Sequence, residues 1–195
     1  AVILVHNYQL PEVQDIADFV GDSLGLSIQA AGTDARVIVF CGVHFMAETA
    51  KILSPDKTVL LPDIESGCPM ADMITARDMK ELKKRHKGAT FLCYVNTSAE
   101  VKAECDLCCT SANAESMVRD LAKKGEKVVF VPDQHLAGYA AEKTGCDIIA
   151  YNGFCPTHAR IKPEDVLKQK ALHPNAVVLA HPECRADVLA EADFI

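Results

Sequence analysis

Short runs of aliphatic and β-branched residues recur along the chain, each four to eight residues long. The runs are AVILVH, RVIVFCGV, KTVLLPD, ATFLCYV, KVVFVPD, CDIIAYN and AVVLAH, and most are separated by segments of helical length such as RDMKELKKRHK and AESMVRDLAKK. Because apolar residues fill these runs continuously, the strands should be covered on both faces. The pattern predicts an α/β fold with parallel sheets.

The chain also repeats itself with a period of about 87 residues. When VILVHNY, TFLCYVN and VVLAHPE are aligned, the same columns recur: His6 with Tyr94 and His181, Tyr8 with Asn96 and Glu183, Asp18 with Asp106 and Asp193, and Ser23 with Ser111. The other half of the unit repeats too, because VIVFCGVHF resembles VVFVPDQHL and places His44 over His135. Such self-similarity indicates repeated units. We predict Rossmann-like βαβαβα modules with pseudo-threefold symmetry: a first module at 1–88, a second at 89–175 and the incomplete start of a third at 176–195.

Polar side chains end the first strand of each module, where a buried apolar run would otherwise continue. Ligands of parallel sheets bind beyond the carboxyl ends of the strands, so these side chains should face one cavity. A histidine such as His6, taken alone, would more often be structural, and it is the alignment with Tyr94 and His181 that favours a site. Ser23 and Ser111 stand at matching helix starts, where a serine can cap the helix, contribute to an anion site, or do both.

Two of the nine cysteines occupy equivalent loops. Cys68 and Cys155 are 87 residues apart, and each is followed by proline. One such thiolate from each of three modules would suit a [4Fe-4S] cluster with one iron free of protein ligands, whereas structural zinc prefers four closed ligands. CDLCC at 105–109 suggests zinc, but the aligned segments hold apolar residues there, so we predict that these cysteines fill the core.

Composition excludes several classes of function. The chain is 49% hydrophobic and 24% charged, with a net charge of −7 and a pI near 5.5, which is typical of a soluble globular protein and argues against nucleic acid as a partner. The basic segment at 80–87 is best explained as the solvated face of a helix. No apolar run approaches the roughly 18 residues of a membrane span, so we expect no membrane association and a cytoplasmic location.

The motifs together resemble quinolinate synthase, the iron-sulfur enzyme family of NAD biosynthesis. The resemblance is carried in order by HNYQ, GDSL, FMAETAKILSPDKTVLLPD, GC, YVNTSAEVKA, CTS, VPDQHL, GFCPTH and HPE, which span essentially the whole chain. It implies three similar α/β domains and one cluster cysteine from each. It also implies condensation of iminosuccinate with dihydroxyacetone phosphate to quinolinate, phosphate and water, and an aspartate oxidase or dehydrogenase would supply the iminosuccinate.

The resemblance also assigns residues. Cys68 and Cys155 would bind the [4Fe-4S] cluster, whose open iron would act as a Lewis acid on the leaving hydroxyl. The substrates would contact His6, Tyr8, Ser23, Tyr94, Asn96, Ser111, His181 and Glu183. Among these, Tyr8, Tyr94, His181 and Glu183 would be catalytic, with Tyr8 and Glu183 transferring protons and the two serines binding anionic groups.

Several questions stay open at this stage. The third module stops at Ile195, so we expect a third cluster cysteine beyond the sequence; oligomeric state cannot be inferred. Diphthamide-synthesis proteins and isoprenoid diphosphate reductases could share three modules and three cysteines, although HNYQ, YVNTSAEVKA and HPE argue against both. A non-catalytic metabolite-binding protein is a further alternative, but it would not need equivalent cysteines.

Overall fold

The computed structural model describes residues 1–195 and contains two four-stranded parallel sheets. The first sheet has the order β2-β1-β3-β4 and the second the order β6-β5-β7-β8. The strands are β1 (Val2–His6), β2 (Phe19–Gly21), β3 (Val37–Cys41), β4 (Thr58–Leu60), β5 (Thr90–Tyr94), β6 (Leu107–Cys109), β7 (Val128–Val131) and β8 (Ile148–Ala150). The predicted fold class, repeated α/β modules with parallel sheets, is confirmed.

Ten helices connect and cover these strands. They are α1 (Pro11–Gln14), α2 (Ser23–Gly32), α3 (His44–Leu53), α4 (Ala76–Arg85), α5 (Ala99–Ala103), α6 (Ala114–Lys123), α7 (Gln134–Thr144), α8 (Pro156–Ala159), α9 (Pro163–Leu172) and α10 (Ala186–Leu189). None of these helices has both the length and the apolar character that crossing a bilayer requires.

The repeat seen in the sequence has a structural counterpart at the aspartate column. Each aspartate accepts a hydrogen bond from the backbone N–H of the residue 15 positions before it. The three bonds run from Ile3 to Asp18 at 2.7 Å, from Phe91 to Asp106 at 2.8 Å and from Val178 to Asp193 at 2.8 Å. The aligned aspartates therefore close the same turn three times.

Some predicted elements differ from the structure. The strands β2 and β6 are absent from the predicted set, because three-residue strands leave no long apolar run to detect. The predicted strand AVVLAH forms only a single bridge, between Leu179 and Phe194, since it has no second neighbouring strand among residues 1–195.

The strands β3 and β7 are equivalent, but they repeat with a spacing of 90 residues. The strand register shows this, because Leu4 pairs with Phe40 in the first sheet as Leu92 pairs with Phe130 in the second. Our alignment of His44 with His135 was therefore wrong by one residue.

The main core joins both sheets. One apolar cluster contains Leu4 and Phe40 from the first sheet together with Leu92 and Phe130 from the second. A separate cluster lies on the other face of the second sheet, where α4 buries Met79 and Leu82. The helix α4 thus precedes the predicted module limit at residue 88 but packs on the second sheet. The helix α9, one repeat later, lies against the start of the predicted third module.

Candidate active site

A single cavity of about 660 Å³ lies at the carboxyl ends of β1 and β5. It is lined by every residue that the sequence suggested for the site: His6, Tyr8, Ser23, Cys68, Tyr94, Asn96, Ser111, Cys155, His181 and Glu183. The residues come from all three predicted modules, because parallel strands direct their carboxyl ends to one edge of each sheet. The cavity is large enough to enclose a small metabolite.

The first and third strand ends share the same local hydrogen bond. The backbone N–H of Tyr8 donates to Nδ1 of His6 at 3.2 Å, and the N–H of Glu183 donates to Nδ1 of His181 at 3.2 Å. Burial lowers the pKa of both imidazoles, which favours their neutral form. A neutral histidine that accepts through Nδ1 carries its proton on Nε2. Each ring can therefore donate one hydrogen bond from Nε2.

Tyr94 replaces histidine at the second strand end and is 5% exposed. Its phenol lies beside the Glu183 carboxylate and the Ser111 hydroxyl. Burial raises its pKa well above the usual value, and the carboxylate raises it further. Tyr94 therefore stays protonated and can donate a hydrogen bond within the cavity.

Glu183 is 3% exposed yet ionised. Burial by itself would raise the pKa of the carboxyl, but His158 and Tyr94 favour the charged form, and together with His181 they hold the pKa below its usual value. Nδ1 of His158 lies 2.8 Å from Oε2 of Glu183. The site thus holds a buried carboxylate with a cationic partner.

Our sequence reasoning missed His158, although it lies three residues after Cys155 in GFCPTH. Its ring stacks on that of His181, with centroids 5.0 Å apart and planes at 16°. Cys155 and Glu183 raise its pKa to about 10. The angles around Nδ1 of His158 do not suit a hydrogen bond to any acceptor. Its close contact with Glu183 is therefore described as an ion pair. The cysteine-to-histidine spacing across the single turn of α8 was the available signal.

The two cavity cysteines have different supports. Backbone N–H groups of Ala71 and Met70 face the Cys68 sulfur, while burial raises the pKa of this thiol and nearby Cys155 adds to the rise. The backbone N–H of Cys155 donates to Oδ2 of Asp133 at 3.2 Å. Two thiols in one cavity, one with amide donors, are suitable ligands for an iron-sulfur cluster.

One alternative metal arrangement shares a residue with this pair. The ligand atoms of Cys155, His158 and Glu183 all lie within 4.8 Å of one another, which is close enough to bind a single metal ion. Sulfur, imidazole and carboxylate together suit zinc. The cavity therefore offers two donor sets, which metal and sulfide analysis can distinguish.

The remaining cysteines lie away from the cavity lining. Cys109 belongs to the main core and Cys105 packs on the outer cluster, as predicted for core residues. Cys108 is exposed, so the prediction was wrong for this residue. It follows Leu107 on the edge strand β6, where three residues cannot all face inward.

Neither serine caps a helix. Asp22 is the N-cap of α2 and accepts from the N–H of Gly25 at 2.6 Å, which places Ser23 at the first helical position. Ser111 lies before α6, whose N-cap is Asn113. The capping interpretation was therefore wrong, and both hydroxyls remain free of that role. A smaller cavity of about 330 Å³ lies between these two helix starts and includes both serines.

Comparison with known proteins agrees with the motifs. The family described as "Quinolinate synthetase A protein" matches residues 1–195. Similar proteins named quinolinate synthase occur in Dehalococcoides mccartyi strain CBDB1, at 59% identity, and in Methanosarcina barkeri strain Fusaro, at 58% identity. Both alignments cover all of this chain and 64% of the relative, so the chain spans less than two thirds of these relatives. The chain belongs to the quinolinate synthetase A family.

Proposed function

We propose that the protein containing this chain is a quinolinate synthase, which condenses iminosuccinate with dihydroxyacetone phosphate to form quinolinate, phosphate and water for NAD biosynthesis. The observation that carries the proposal is the convergence of the repeat-derived residues on one cavity in a member of this family. An aspartate oxidase or dehydrogenase would supply the iminosuccinate. Both substrates are anionic, and the cavity offers neutral donors in several directions.

Cys68 and Cys155 would hold a [4Fe-4S] cluster, with a third thiolate from outside these 195 residues. When bound, the cluster would supply a Lewis acid that favours loss of a hydroxyl group. The fit is supported by both sulfurs lining the cavity and by the amide donors around Cys68.

The substrates would be oriented by hydrogen bonds. The Nε2–H groups of His6 and His181 and the phenol of Tyr94 are donors suited to carboxylate or carbonyl oxygens. Asn96 adds an amide at the same strand end. Ser111 is the better candidate for the phosphate, because its neighbour toward the strand is neutral Thr110, whereas Ser23 follows the acidic Asp22.

Proton transfer would fall to Glu183 and Tyr8. Glu183 is ionised and buried, so it can accept a proton in a site with restricted solvent. Tyr8 is 79% exposed, lies with its ring edge-on to His6 at 4.8 Å and lines the rim of the cavity. It could exchange protons between solvent and substrate.

The experiment uses the full-length protein, purified without oxygen. We expect about one [4Fe-4S] cluster per chain by iron and sulfide analysis, and quinolinate formation from the two substrates. Tyr94→Phe and Glu183→Gln should keep the cluster but lower turnover by about 100-fold or more, the scale for removing a positioned proton donor or acceptor. Glu164→Gln, at an exposed position on α9, is the matched control.

The cysteine assignment has its own test. Cys68→Ala and Cys155→Ala should each lose the cluster, while Cys146→Ala should keep it, because Cys146 does not line the cavity. Stoichiometric zinc without sulfide would instead favour the site of Cys155, His158 and Glu183. Near-normal turnover of both Tyr94→Phe and Glu183→Gln would contradict the proposed roles.

A further inference from the structure

The turn after β5 is held by a side chain from the first module. Oε2 of Glu48, on α3, accepts a hydrogen bond from the backbone N–H of Ala99 at 2.8 Å. Ala99 is the first residue of α5, and Ser98 caps the same helix by accepting from the N–H of Val101 at 3.3 Å. The Glu48 carboxylate therefore satisfies a helix-start N–H that would otherwise lack a partner, and its charge suits this end of the helix.

Lys102 holds the same turn from its other side. Its Nζ donates to the carbonyl oxygen of Thr97 and lies 5.4 Å from the ring centroid of Phe45, a residue of the cavity wall. Thr97 is fully buried, and its hydroxyl donates to the carbonyl oxygen of Tyr94 at 3.0 Å. A continuous set of contacts thus leads from Lys102 to the strand end that carries Tyr94 and Asn96.

The other two strand ends do not use this arrangement. There, Nδ1 of His6 or His181 accepts from the backbone two residues later, so the imidazole itself orders the turn. Tyr94 cannot do this, because the phenol oxygen lies far from its own backbone and contacts Glu183 and Ser111. The second turn consequently needs another source of order.

The repeat shows that the support is specific to the second module. The buried positions of α3 and α7 match at a spacing of 90 residues, so Gly138 is the residue of the second module that is equivalent to Glu48. Glycine has no side chain that could reach a neighbouring helix, and α10, whose N-cap residue is Arg185, accordingly begins without a side-chain cap. The short helix α1 also begins without one.

We propose that Glu48 and Lys102 are positioning residues that hold Tyr94 and Asn96 in the cavity. They take the place of the histidine-to-backbone hydrogen bond that orders the turn at the other two strand ends. The proposal rests on the proposed function, because it concerns the same site. Glu48 acts through Ala99, and Lys102 acts through Thr97. Neither side chain lines the cavity, so both act without touching the substrates.

Hydrogen-deuterium exchange in the full-length protein tests the positions directly. Glu48→Ala and Lys102→Met should each speed exchange in a peptide covering residues 94–101 by about tenfold, the scale for losing one charge-assisted hydrogen bond. Glu48→Gln should restore most of the protection, because the amide oxygen still accepts from Ala99. Glu142→Ala and Lys123→Met change exposed helix positions and should leave this peptide unchanged.

Kinetics then separate positioning from stability. Glu48→Ala and Lys102→Met should lower kcat/KM by about 10- to 100-fold, mainly through kcat, since small misplacements of catalytic groups cost this much. Leu121→Ala, a core change at the far end of α6, should lower the unfolding midpoint without this kinetic loss. Unchanged exchange, or kcat/KM within about twofold of the controls, would overturn the proposal. If the wild type makes no quinolinate, the proposed function fails, and the exchange result alone decides the positioning.

Discussion

The carboxyl ends of β1 and β5 occupy equivalent places in two sheets of the same strand order, yet they present different chemistry. β1 ends in His6, which orders its own turn through Nδ1, whereas β5 ends in Tyr94, whose phenol is buried against Glu183. The helix starts beside them also differ, with Asp22 in one and Thr110 in the other. Duplication of the backbone with divergence at the strand ends thus produces an asymmetric cavity, which can distinguish the two ends of an asymmetric substrate.

The two cysteine loops also occupy equivalent places but have different surroundings. Cys68 is stabilised by amides of its own loop, whereas Cys155 is tied to the buried Asp133, which also caps α7 through the N–H groups of His135 and Leu136 at 2.7 and 2.8 Å. The position equivalent to Asp133 at the start of α3 is Val43, which cannot cap. Equivalent ligands would therefore experience unequal surroundings.

The largest change in the free energy of unfolding should come from substitutions in α4 and its counterpart α9. Met79 of α4 is completely buried on the second sheet, so Met79→Ala should lower the free energy of unfolding by about 3 kcal/mol through lost contacts and a cavity. Its counterpart Val166 on α9 is only partly buried, so Val166→Ala should cost less. Urea unfolding of the full-length proteins measures both. Equal losses would mean that α9 is as fully covered in the complete protein as α4.

A smaller effect should come from the repeated aspartates. Asp106→Ala removes the acceptor for the N–H of Phe91. It should lower the free energy of unfolding by about 1–2 kcal/mol, because the hydrogen bond is partly buried. The equivalent bond of Asp18 is exposed, so Asp18→Ala should cost less. Thermal unfolding provides the comparison, with the exposed Asp120→Ala as control. A larger loss for Asp18 would show that the first module depends more on this turn.

The smallest effect should separate the two serines. Ser111→Ala should weaken inorganic phosphate binding by about five- to tenfold, as expected for the net loss of one hydrogen bond worth about 1 kcal/mol, while Ser23→Ala should have less effect because Asp22 already repels the anion. Isothermal titration of the full-length protein can measure both affinities. A greater loss for Ser23→Ala would reverse the assignment of the phosphate subsite.

Pattern alone predicted much of the architecture, for reasons visible in particular residues. The apolar run from Thr90 to Tyr94 must be a buried strand, and its alignment with Val2–His6 makes the second sheet a copy of the first. The short strands β2 and β6 escaped detection because three residues are too few to show a period. The single shifted alignment, His44 with His135, followed from a change in spacing that only the strand register reveals.

The sequence by itself determined the repeat, the parallel α/β modules and the polar strand ends, because these depend on local periodicity and on columns that recur along the chain. Tertiary structure alone decided that His158 lies 2.8 Å from Glu183 and that Glu48 reaches Ala99 across the module junction. These pairs are separated by 25 and 51 residues and have no common period. Only the packing of one module against the next brings such groups together, so no pattern within one module could predict them.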